Sequence, residues 1–152
     1  MTNGSHATGG CQCGAVRYSI SGPFENPHIC HCRMCQKAFG NYFSALVATK
    51  RENFRWTRGS PGIFKSSSIV ERGFCRDCGT PLSYAFDTSP RTNVSIGSLD
   101  HPEAVTPVVQ FGIESRLPAF GLLHNLEGKR TEDFFPPDMM AKLKSRQHPD
   151  RD

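Results

Sequence analysis

Three thiols and an imidazole occupy six consecutive residues, Cys30-His31-Cys32-Arg33-Met34-Cys35. Cysteines packed in this C-x-C-x-x-C spacing serve a metal ion or a redox reaction. The other four cysteines form two close pairs, Cys11-Gln12-Cys13 and Cys75-Arg76-Asp77-Cys78, the second followed by Gly79, so none of the seven is scattered like a core cysteine. C-x-x-C followed by glycine marks a metal knuckle, because glycine lets the turn fold back against the sulfur. Structural zinc sites are closed by four side chains, whereas catalytic ones keep three and leave a position for water or substrate. The simplest partition places Cys11, Cys13, Cys75 and Cys78 around one closed, structural zinc. Cys30, Cys32 and Cys35 then surround one open, catalytic zinc, giving two Zn²⁺ per chain. The alternative is that His28 or His31 closes the triplet as a fourth ligand and makes it structural too.

The donor set decides what an open site of this kind does. Three thiolates leave a zinc site net negative, whereas three neutral imidazoles leave it doubly positive, and acidifying a bound water is the work of the electron-poor kind. A hydrolase is therefore not the expected reaction. A coordinated thiol loses its proton, and an electron-rich fourth sulfur is suited to attack a carbonyl carbon. Thiol–aldehyde addition then needs both reactants held together and a donor for the new alkoxide. His31 is the candidate donor. His101-Pro102-Glu103 has the H-x-E form of zinc deaminases, whose P-C-x-x-C half lies further along the chain. Here the isolated C-x-x-C precedes His101 and Phe74 stands before Cys75, so a surface turn is expected instead.

The 152 residues suit one domain of ordinary size. An odd number of cysteines argues against a complete disulfide framework, and the N-terminal residues lack a signal peptide's apolar run. Reduced thiols and a cytoplasmic location are expected. No stretch approaches the ~18 consecutive apolar residues that a membrane span needs. The net charge is +4 and the pI about 8.8, with Lys and Arg spread rather than blocked. That balance suits a small anionic ligand; nucleic acid is not the expected partner.

Short elements must position the cysteines. Residues 1–8 are expected to be a flexible leader, with Gly9-Gly10 bending into Cys11. Ala15 to Ser21 alternates, Val16, Tyr18 and Ile20 against Arg17 and Ser19, which predicts a half-buried strand. Gly22-Pro23 ends it, and Asn26-Pro27 predicts a second turn before the triplet. Arg33 to Phe39 predicts a short helix stopped at Gly40, with Cys32 and Cys35 on one face. Further strands are expected over 42–48, 54–56, 63–65, 69–74, 80–86 and 93–97, and one within 105–113. Strands this short, punctuated by Gly, Pro and Ser, predict a mainly antiparallel β domain. Pro136-Pro137-Asp138 opens a short helix with Met139, Met140 and Leu143 as its apolar face. Arg146 to Asp152 is expected to fray.

The stretches Gly9-Gly10-Cys11-Gln12-Cys13-Gly14-Ala15-Val16-Arg17-Tyr18, Cys30-His31-Cys32-Arg33-Met34-Cys35-Gln36-Lys37 and Phe74-Cys75-Arg76-Asp77-Cys78-Gly79-Thr80 together resemble the glutathione-dependent formaldehyde-activating (GFA) family. Gly97-Ser98-Leu99-Asp100 looks like that family's next landmark. The resemblance covers residues 8 to 100 and thins beyond. It implies a mainly β, Mss4-like fold, a tent of short antiparallel strands with short helices and two zinc sites, one structural and one catalytic. Domain organisation follows: leader 1–8, zinc-binding domain 9–135, C-terminal short helix and tail 136–152. It also implies a carbon–sulfur lyase that runs in reverse as a synthase, adding glutathione to formaldehyde to give S-(hydroxymethyl)glutathione. Two stretches depart from the family pattern. Gln110-Phe111-Gly112 replaces a His-Ile-Trp-like run, and Pro118-Ala119-Phe120 lacks the tryptophan that commonly follows, so another thiol or small aldehyde is open.

Glutathione carries two carboxylates and one ammonium, and its pocket calls for cations and backbone donors. Arg33, Lys37, Lys50, Arg51 and Arg116 are available, but each also reads as a solvated surface charge and none is assigned. The competing function is a non-catalytic, zinc-stapled scaffold that binds protein or nucleic acid. A triplet closed by His28 or His31 favours it.

Overall fold

The alternation over 15–21 has a direct structural outcome: Val16, Tyr18 and Ile20 are buried in the core. The computed structural model describes residues 6–152. In chain order it contains β1 (His6–Gly10), β2 (Arg17–Ser21), β3 (Glu25–Cys30), α1 (Arg33–Phe39), β4 (Ser44–Lys50), β5 (Phe54–Arg58) and β6 (Gly62–Ser67). There follow β7 (Val70–Phe74), β8 (Pro81–Phe86), β9 (Arg91–Ser95), β10 (Val109–Phe111), α2 (Thr131–Phe134) and α3 (Pro137–Lys142). One sheet runs β1-β2-β5 and the other β10-β3-β4-β9-β8-β7-β6. The fold is thus mainly β, with short helices, and among the described strands only β10 pairs parallel, on β3. Tyr18, Ile20, Val47, Leu82 and Val94 are fully buried and form one cluster. Such side chains each contribute roughly 1.5–3 kcal/mol on burial.

The second face of β2 corrects the simple alternation. Arg17 is as buried as its apolar neighbours, because Asp100 receives its guanidinium through two hydrogen bonds of 2.8 and 2.6 Å. Thr8 donates to the same carboxylate at 2.5 Å, and the Tyr18 hydroxyl lies 2.8 Å from Ser98 Oγ. The Gly97-Ser98-Leu99-Asp100 landmark is therefore the bracket that receives the polar groups of β1 and β2.

Asn26-Pro27, expected as a turn, lies inside β3. The strand absorbs it as an irregularity between Glu25 and His28, with Asn26 at φ 44°. Proline fits a ladder only where its missing N–H is not needed, as at such a bulge. Beyond it β3 regains its register and delivers Cys30 opposite Ser44. The helix expected over 33–39 is α1, closed at Gly40 in the left-handed conformation.

Of the leader expected over 1–8, residues 1–5 lie outside the described residues, while His6 to Thr8 form part of β1. The tail expected to fray is instead docked. His148 N donates to Gln12 O at 2.8 Å, and Arg17 also reaches Asp152 at 2.9 Å. The helix after Pro136-Pro137 is α3; of its expected apolar face Met140 is half-buried, while Met139 and Leu143 remain exposed. Among the described residues no helix is long and apolar enough to cross a membrane.

Candidate metal centres

The first centre forms where two hairpin ends meet. The turn after β1 carries Cys11 and Cys13, and the β7–β8 turn carries Cys75 and Cys78. Their four sulfurs lie within 4.8 Å of one another. Cys11 and Cys13 sulfurs are 3.6 Å apart, and Cys13 and Cys75 sulfurs 3.8 Å. Four sulfurs at ~2.3 Å from a tetrahedral zinc are about 3.8 Å apart, so this donor set fits the ion. The two turns are built alike. Gly14 N donates to Cys11 O at 3.0 Å and Gly79 N to Cys75 O at 2.9 Å, with φ of 79° and 78°. Glycine is required there because an L side chain resists that backbone. Gln12 N, bonded to Thr80 Oγ1 at 3.0 Å, ties one turn to the other. Burial works to raise the Cys78 thiol, but the hydroxyl and N–H of Thr80 and the neighbouring Cys13 bring it down to about 6.

The second centre is set by β3 and α1. Cys30 ends the strand, Cys32 caps the helix by accepting from Cys35 N at 3.4 Å, and Cys35 sits in the first turn. These three sulfurs also lie within 4.8 Å of one another. Cys35 is buried, while Cys30 and Cys32 are half-buried. The Cys35 thiol is pushed down to about 4, first by the hydrogen bond from Cys30 and then, against burial, by Ser44 and Arg72. Cys30 moves the other way, chiefly because it shares a proton with Cys35. Both centres can hold a metal ion.

Neither histidine groups with the triplet among the described residues. His28 Nδ1 donates to Asn26 O at 2.7 Å, and its ring meets Phe111. His31 is fully buried, edge-on to Phe120 with centroids 4.6 Å apart. Its Nε2 lies 2.9 Å from Gln110 Oε1, and its Nδ1 has no partner.

Residues 110–120 wall the triplet, including both stretches that depart from the family pattern. His31 N donates to Phe111 O at 2.9 Å. Gln36, buried on α1, donates to His31 O at 2.7 Å and to Ser115 O at 3.0 Å. Gly112, at φ 66°, lies so close that a Cβ there would stand 2.7 Å from Cys32 N.

Arg72 was not singled out by the sequence motifs. Only 6% exposed, it points Nη2 at Cys35 Sγ (3.4 Å), gives Nε to Ser66 Oγ (3.1 Å) and stacks 4.7 Å over the Tyr84 ring. Its Nη1 is buried without a partner. The available signal was period two: Arg72 shares a face of β7 with buried Val70. Of the five candidate cations, Arg33 and Lys37 line two clefts that flank α1. One, of about 440 Å³, is the more polar of the two, with Gln36, Asn41 and Tyr42 beside Leu117. The other, of about 360 Å³, is floored by Met34, Ala38 and Phe64. Lys50 and Arg51 face a separate cleft with Glu52 and Arg91. His101 and Glu103 sit together on an exposed turn, as expected.

A family model described as glutathione-dependent formaldehyde-activating enzyme matches residues 6–115. A Schizosaccharomyces pombe protein named as an uncharacterized lyase is 32% identical over 80 residues, 51% of this chain and 56% of the relative. The match thus spans little more than half of that relative's length. The crystal structure of a Rhodobacter sphaeroides protein superposes with a TM-score of 0.54 at 22% identity, covering 68% of this chain and 98% of that one. That likeness is one of fold.

Proposed function

The chain belongs to the glutathione-dependent formaldehyde-activating enzyme family, and from that premise we propose that it is a zinc-dependent carbon–sulfur lyase of the cytoplasm. In the synthetic direction it adds glutathione, or a similar small thiol, to a small aldehyde; with formaldehyde the product is S-(hydroxymethyl)glutathione. The observation that carries this reading is the triplet. Its three sulfurs converge without a histidine, and two of them remain half-exposed. The four-sulfur centre is proposed as the structural zinc and the triplet as the catalytic one. Zinc held by Cys30, Cys32 and Cys35 would keep an incoming thiol ionised.

The chain's own residues account for the rest. The Arg72 guanidinium lies against Cys35 and offsets the negative charge of the sulfur cluster. The polar cleft offers Arg33, Lys37 and Asn41 to the carboxylates and peptide groups of a tripeptide thiol. His31 is the proposed proton carrier. With its Nε2–H donated to Gln110, the buried Nδ1 is left as the free acceptor that would take the thiol's proton and return it to the alkoxide. A triplet closed by a histidine would favour the scaffold reading, and neither His28 nor His31 groups with the three sulfurs among the described residues.

NMR exchange spectroscopy on glutathione plus formaldehyde, with wild type, with Cys32→Ser and without protein, tests the proposal. Wild type is expected to accelerate exchange and the folded variant is not. Equal rates in all three samples would remove this substrate pair.

A further inference from the structure

The polar cleft leaves the second cleft beside α1 without a role, and its chemistry differs. Met34 and Ala38 of α1 face Phe64 of β6, and Arg33, Lys37, Ser66 and Arg72 line the same cleft. Phe64 is 62% and Met34 51% exposed, a large apolar surface to leave in water beside a reactive centre. Arg72 belongs to both places: its Nη2 contacts Cys35 Sγ, and it lines the cleft. Its Nη1 is buried with no acceptor, so the guanidinium's hydrogen-bonding capacity is not used up within the protein. Among the described residues no carboxylate lines this cleft, so nothing there suits the ammonium of a peptide thiol. Its volume of about 360 Å³ is roughly ten times the ~30 Å³ share of one water molecule. Formaldehyde, with two heavy atoms, would leave it nearly empty.

We infer that this cleft takes the carbonyl reactant, and that this reactant is an aldehyde with an apolar body of several carbons rather than formaldehyde. The inference rests on the thiol–aldehyde reading and deepens it. The aldehyde oxygen faces the Arg72 guanidinium, the apolar body lies between Met34 and Phe64, and the thiol enters from the polar side of α1. The two reactants then approach the sulfur cluster from opposite flanks of one helix.

Hexanamide, which carries a carbonyl on an apolar chain without being electrophilic, is the binding probe, and formamide is its formaldehyde-sized control. Titrated into the zinc-loaded protein, hexanamide is expected to shift the Met34 methyl and Phe64 ring resonances and to bind at least about tenfold tighter than formamide, since each buried methylene adds affinity. Phe64→Ser, on an exposed edge-strand position, and Ala38→Leu, which fills the cleft, should each remove the preference. With glutathione, kcat/KM for hexanal should exceed that for formaldehyde. Equal binding of the two amides, shifts confined to other residues, or no effect of either substitution overturns the inference. Acceleration with formaldehyde and no hexanamide shifts overturns it alone and leaves the lyase reading standing. No acceleration with any aldehyde overturns both.

Discussion

Asp100→Ala tests the bracket that locks β1 and β2 to the landmark loop. The wild-type carboxylate accepts two bonds from Arg17, of 2.8 and 2.6 Å, and one of 2.5 Å from Thr8. Both members of the ion pair are only 3% exposed. Removing the carboxylate leaves a buried guanidinium with one exposed partner, Asp152. Breaking a buried pair from one side costs about 3–5 kcal/mol. For a chain of this length each kcal/mol lowers Tm by about 2–4 °C, so the expected fall is about 6–20 °C. Circular dichroism melts at fixed free zinc measure it. The double variant Arg17→Met/Asp100→Leu should recover most of the loss, because neither charge is then stranded. A fall below about 3 °C for the single variant would contradict the assigned cost, and a double variant no better than Asp100→Ala would refute the pairing argument.

Four further outcomes are expected. Although burial opposes it, hydrogen bonds from Arg17 and Thr8 hold the Asp100 carboxyl below its ordinary range. Stability from this group is therefore present above about pH 4 and lost as pH falls through the depressed value, and Asp100→Asn should flatten that part of the acid Tm profile. Cys75→Ser should unfold or aggregate the protein, because a structural metal supplies folding free energy directly; a folded variant that still binds two zincs would contradict the partition. Gly112→Ala should cost about 1–3 kcal/mol for its backbone and weaken metal retention at the triplet, but not at the four-cysteine centre, in a chelator competition. His148→Ala removes a ring that packs against Gly14 and meets Arg58, so chelators should strip the four-cysteine centre faster.

The sequence made the local devices legible. Knuckle glycines, a capped two-turn helix and alternating strands all depend on near neighbours, and Gly79, α1 and β2 follow from them. What it hid depends on residues far apart. Arg17 reads as solvent-facing until Asp100, 83 positions on, is known to receive it. Asn26-Pro27 reads as a turn until β4 is seen to pair with the residues on either side of it, Glu25 and His28. Arg72 carries no motif, and its place beside Cys35 arises because the larger sheet brings β7 alongside α1. The tail's polar composition predicts fraying, yet its docking depends on two backbone and side-chain partners in the first knuckle and β2.

The separation between the triplet and its wall also has a consequence in time. Gln110 follows His31 by 79 residues, so at about 5–20 residues per second of synthesis, some 4–16 s separate them. For that interval the nascent chain carries its three closely spaced thiols with no β10 beside them and no Gly112 against Cys32. The four-cysteine centre waits less, since Cys75 follows Cys13 by 62 residues. The order of emergence thus lets the four-cysteine centre and the other strands of the larger sheet come together first, and the triplet is walled only when β10, the last strand, arrives.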